Sequence, residues 1–222
     1  MQEATSMEFE NKWIEEAVKK VLDIQPENEL TAEDLDRIKY VKIGTSSHFV
    51  NGFEIQLSTQ TPPEPFSDTD GGDEWIDCLR GKDVVKFLDQ EDKRRLLHPS
   101  MFCFGNEDYR DAMSDDAQAT WNEYKTNIVP GNDFMTVIQL SQSGGMEATD
   151  KRFELLMNEL YKDVRNFTGV QVLRIYELMI PDYSFFQNMK QLKALELVSV
   201  SFTSYEGYEC LKDLQQFACW MD

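Results

Sequence analysis

Four cysteines and two histidines hold most of the reactive chemistry in this 222-residue chain. Cys78, Cys103, Cys210 and Cys219 stand at no metal-ligand spacing and form no C-x-x-C pair. His48 and His98 are a thin stock for metal binding or acid–base work. A thiolate–imidazole pair drawn from Cys103 and a histidine would be a nucleophile. Cys103, however, lies inside the apolar run Met101–Phe104, the setting of a buried, inert thiol. The acidic stretch Asp68-Thr69-Asp70-Gly71-Gly72-Asp73-Glu74 has the carboxylates that a hard cation favours. A calcium loop opening at Asp68 needs Gly at 73 and Glu at 79, where the chain has Asp73 and Leu79. The stretch therefore reads as an acidic turn at the positive end of a helix beginning near Glu74. No G-x-S-x-G, H-E-x-x-H, Walker-type or dinucleotide-binding glycine pattern occurs. The expectation is a binding protein, with no enzyme activity, no metal and no cofactor.

The charge narrows the class of partner. The chain has 22 basic and 41 acidic residues, a formal net charge of −19. Binding to phosphate backbones or anionic membranes needs Lys and Arg in excess, so a nucleic-acid partner is not expected. No apolar run approaches the ~18 residues of a membrane span, and Met1–Glu8 lacks the basic and apolar regions of a signal peptide. A cytoplasmic location follows as an expectation. The acidic clusters Glu8–Glu16, Asp68–Asp77 and Asp108–Asp116 serve solubility, or attract a basic partner.

Several elements can be placed from periodicity and turn chemistry. Phe9, Trp13, Ile14, Ala17, Val18, Val21 and Leu22 recur at three- and four-residue steps, giving a helix that Pro26 and Asn28 end. Thr31 reads as the N-cap of a second, short helix with Asp34 at its third position. Tyr40–Ile43 and Phe53–Leu57 alternate like strands, with Asn51-Gly52 able to supply the turn. Thr59 to Gly72 is a loop rich in Pro, Asp and Gly. Residues 74–98 read as helix in two pieces, Met101–Phe104 as a short strand, and the neighbourhood of Trp121 and Tyr124 as helix. Phe134–Leu140 fits either strand or helix. Phe153, Leu156, Met157, Leu160, Tyr161 and Val164 mark a further helix over 149–166.

From Phe167 onward the chain repeats every 22 residues. Phe167, Met189 and Leu211 share a column, as do Val170, Leu192 and Leu214; Leu173, Leu195 and Phe217; and Ile175, Leu197 and Cys219. Downstream, Leu178 aligns with Val200, Ile180 with Phe202, Tyr183 with Tyr205, and Phe186 with Tyr208. Leu35, Ile38, Val41 and Ile43 carry the same partial pattern far upstream. A 20- to 29-residue period with L-x-x-L-x-L spacing is the leucine-rich repeat signature. The segment Ile180-Pro181-Asp182-Tyr183-Ser184-Phe185-Phe186 resembles the internalin-type bacterial repeat, and the first 45 residues resemble its helical N-terminal cap. Asn166-Phe167-Thr168, a glycosylation triplet, falls on a repeat core column and is discounted.

The resemblance implies a mixed α/β capping domain followed by a short leucine-rich repeat solenoid of parallel strands. Residues 1–45 form the cap and first repeat-like strand, 46–166 an inserted or capping α/β region with its loop at 59–73, and 167–222 the repeats. Two departures stand out. Leu178 and Val200 occupy positions where the family has asparagine, and the chain given stops just after a strand. That leaves an open C-terminal repeat next to Phe217 and Trp220, to be covered by further chain of a longer protein, by a partner, or by a second copy through self-association. Between core columns, side chains alternate to the other face of the sheet. Arg174, Tyr176, Glu196, Val198 and Trp220 fall there and are the expected partner-binding residues. The resemblance implies protein–protein recognition. The alternatives are an acidic inhibitor or immunity protein of a basic toxin or nuclease, and an enzyme with an unrecognised site in residues 45–150.

Overall fold

The computed structural model describes residues 7–46, 52–62, 75–80, 82–90, 125–130, 136–141, 161–176, 179–180, 182–198, 200–202, 204 and 206–220. His48, His98, Cys103, the loop Asp68–Glu74, the strand expected at Met101–Phe104 and the helix expected around Trp121 lie outside them. The first helix, α1 (Lys12–Leu22), buries Ile14, Ala17, Val18 and Leu22 on one face. Asn11 caps it, its side-chain oxygen accepting the Ile14 N–H at 3.3 Å. The helix ends because Asp23 turns left-handed, with φ 57°. Ile24 N–H then reaches the Lys19 carbonyl at 2.8 Å and Asp23 N–H the Lys20 carbonyl at 3.3 Å, the paired bonds of a Schellman stop. The short helix α2 (Ala32–Leu35) starts as expected, Thr31 and Asp34 forming a reciprocal capping box. The Thr31 bond is the main reason why the Asp34 carboxyl sits below its ordinary range.

The strands are β1 (Tyr40–Ser46), β2 (Gly52–Ser58), β3 (Trp75–Arg80), β4 (Lys125–Pro130), β5 (Thr136–Ser141), β6 (Val172–Tyr176), β7 (Met179–Ile180), β8 (Ala194–Val198), β9 (Ser201–Phe202) and β10 (Gln216–Trp220). Eight of them share one sheet in the order β3-β10-β8-β6-β1-β2-β5-β4. The five strands from β3 to β1 are its mostly parallel part, since β10, β8, β6 and β1 run parallel and only β3 opposes its neighbour. The 22-residue columns become the sheet register. Leu173 aligns with Leu195 and Leu195 with Phe217, while Val41 of β1 aligns with Leu173.

One hydrogen-bond pattern recurs at the foot of each parallel strand. The Lys39 carbonyl accepts from Gln171 and Val172, that of Gln171 from Lys193 and Ala194, and that of Lys193 from Gln215 and Gln216, at 2.7 to 3.1 Å. Beyond the strands, β7 pairs with β9 in a small second parallel sheet. The chain then makes a 3₁₀ turn at Tyr183–Phe186, where Asp182 Oδ1 accepts the Ser184 N–H at 2.7 Å. Tyr183 stacks on Phe202 with ring centroids 4.1 Å apart. Val200, one of the positions where the sequence lacks the repeat's asparagine, is buried.

Three expectations change. Trp75–Arg80, expected to be helical, is strand β3, and helix begins only with α3 (Lys82–Asp89). These six residues show no strand alternation of their own; pairing along the outer edge of β10 overrides the helical reading. Of Phe134–Leu140, open between strand and helix from sequence, the described residues from Thr136 on are strand, in β5. Of the helix expected over 149–166, the described part is helical from Tyr161 to Val164. The third change concerns the end of the repeats. The outer edge of β10 is paired with β3, Gln216 opposite Arg80 and Trp220 opposite Trp75, so the open C-terminal edge is closed. Self-association through that edge loses its premise. The pairing contains a bulge in which Asp77 and Cys78 face the single residue Ala218. A bulged strand at one end of the sheet, and Lys125 and Pro130 in the strand at the other, are devices that discourage edge-to-edge growth.

The core lies on one side of the parallel strands. Val41, Ile43, Leu173, Ile175, Leu195, Leu197 and Phe217 are fully buried there with Ile14, Val18 and Leu35. Each such side chain contributes roughly 1.5–3 kcal/mol as an upper estimate. α1 is tied to this core by Asp163, whose carboxylate accepts the Glu10 N–H at 2.9 Å and the Asn11 N–H at 2.8 Å.

Candidate functional site

Alternation along the parallel strands sends a second set of residues to the face opposite the core. One row runs Tyr40, Val172, Ala194 and Gln216; the next runs Lys42, Arg174, Glu196 and Ala218; the third runs Gly44, Tyr176, Val198 and Trp220. Tyr40, Val172, Ala194 and Ala218 form a small apolar cluster that is closed to water. The polar side chains gather beside it. Tyr176 donates its hydroxyl to Glu196 Oε2 at 2.5 Å, and Arg174 Nε lies 3.4 Å from the same oxygen. Lys42 Nζ sits 4.8 Å from the centre of the Tyr176 ring, within cation–π range. Tyr40 reaches Gln56 of β2 at 3.5 Å.

The electrostatics follow from this geometry. Burial, and then the Glu196 charge and hydrogen bond, hold the Tyr176 phenol well above its ordinary range, so it stays a hydrogen-bond donor. The Glu196 side chain is 11% exposed and that of Arg174 is 23% exposed, so the pair is shielded more than a surface ion pair. Gly44 leaves the space that Tyr176 needs: a Cβ there would lie 2.3 Å from the Tyr176 carbonyl oxygen. Strand β1 can therefore approach β6 at this point only with glycine in place.

Of the residues expected from sequence, Arg174, Tyr176 and Glu196 come together in one network. Val198 is buried one strand over from Tyr176 in the same row, and Trp220 follows it in register on β10. Lys42 was not among the expected residues, although Val41 and Ile43 already marked their strand as repeat-like and alternation alone turns Lys42 outward. Asp163 carried no such signal, because its partners are backbone amides. Cys219 is buried and its thiol is pushed up to about 12, and burial raises that of Cys210 to about 11. Neither is primed as a nucleophile. Among the described residues, no group of three or more metal-ligating side chains converges and no helix is long and apolar enough to cross a membrane.

Comparisons with protein-family models, with curated proteins and with solved structures give no match.

Proposed function

We propose that this chain is a protein-recognition module of the leucine-rich repeat type, its 22-residue rungs coiling as a short solenoid whose outward face binds a partner. The observation that carries the reading is the recurrence of one strand foot at Lys39, Gln171 and Lys193, each carbonyl accepting two amides of the next rung. Such a repeat needs only its neighbours for stability, which frees the residues between core columns for recognition. On that face Arg174, Tyr176 and Glu196 form a half-open polar network, with Val198 and Trp220 continuing the Tyr176 row. Aromatic and arginine side chains beside closed apolar surface are the usual anchors of protein interfaces. The protein acts by binding and not by catalysis, and needs no cofactor.

The test is photo-crosslinking in cells with a benzophenone residue in place of Tyr176, and a control placed at Glu16 on α1. Capture at 176 that Arg174→Glu abolishes supports recognition through this face. Capture confined to position 16 overturns it and moves the reading to an acidic inhibitor of a basic partner.

A further inference from the structure

We draw no further inference here: the strongest candidate, the open groove between the segment ahead of α1, α1 itself and the loop before α2, gathers Glu8, Glu15, Glu27 and Glu29 around Lys19, which already pairs with Glu15 at 2.6 Å, and among the described residues this acidic cluster has no second feature that points to a ligand.

Discussion

Asp163 and Glu196 are the two carboxylates buried among the described residues, at 1% and 9% exposure, and they are held in opposite ways. Asp163 accepts two backbone amides, from Glu10 and Asn11, across more than 150 residues of chain. Among the described residues, Glu196 is held by side chains, accepting the Tyr176 hydroxyl and pairing with Arg174 Nε at 3.4 Å. A carboxylate bonded to backbone fixes where a segment lies and cannot exchange partners without unfolding it. One bonded to side chains can exchange them by a change of rotamer. The first arrangement builds the fold and the second leaves a surface able to respond to a ligand.

The largest effect that could break this contrast comes from Asp163→Ala. It strands two amides and undocks the start of α1, with an expected loss of about 3 kcal/mol in urea unfolding. A loss no greater than that of Glu196→Ala would make the two carboxylates equivalent. pH sharpens the same point. Burial raises the Asp163 carboxyl from 3.8 to about 6, the amide bonds and Lys162 opposing the shift and Glu10 adding to it. A group raised in the folded state binds protons that the unfolded chain has released. Stability from this group is therefore present below about pH 4 and is lost as pH rises to about 6, on the order of 2 kcal/mol. Chemical denaturation across pH 4–7 should show that slope, and Asp163→Asn should flatten it.

On the Glu196 side, Gly44→Ala pushes a methyl group into the Tyr176 backbone and should cost about 2 kcal/mol while displacing the phenol from Glu196. Thermal melts with tyrosine fluorescence read both effects. A double-mutant cycle of Arg174→Met with Glu196→Gln should give a coupling near 1 kcal/mol, since the pair is only partly shielded. Coupling near zero would place Glu196 with ordinary surface charges. Smallest is Asp23→Gly, away from both carboxylates, which removes a left-handed strain and should stabilise by about 0.5 kcal/mol.

What the sequence made legible was whatever repeats or caps locally. The columns through Leu173, Leu195 and Phe217 fixed the strands and their register, and alternation then placed Arg174, Tyr176 and Glu196 together before any coordinates. Thr31 and Asp34 announced their helix through a local bond. The parts that escaped depend on partners far away in the chain. Trp75–Arg80 becomes strand only because β10 lies open beside it, and Asp163 matters only because the amides of Glu10 and Asn11 reach it. Lys42 obeys the same alternation, but its strand lies far upstream of the repeats that carry the pattern.

The place of β1 between β2 and β6 has a consequence for how the protein is made. Tyr40 pairs with Val172, so more than 130 residues must be synthesised before β1 finds its parallel neighbour. At about 5–20 residues per second, the hairpin of β1 and β2 waits on the order of ten seconds at the ribosome with one edge unpaired. Long-range parallel pairing also slows the search once the chain is free. Refolding from denaturant should therefore be slower than for a repeat array of the same length whose rungs all follow one another in sequence. In the cell, an unpaired β1 edge of this kind is an aggregation hazard until β6 emerges.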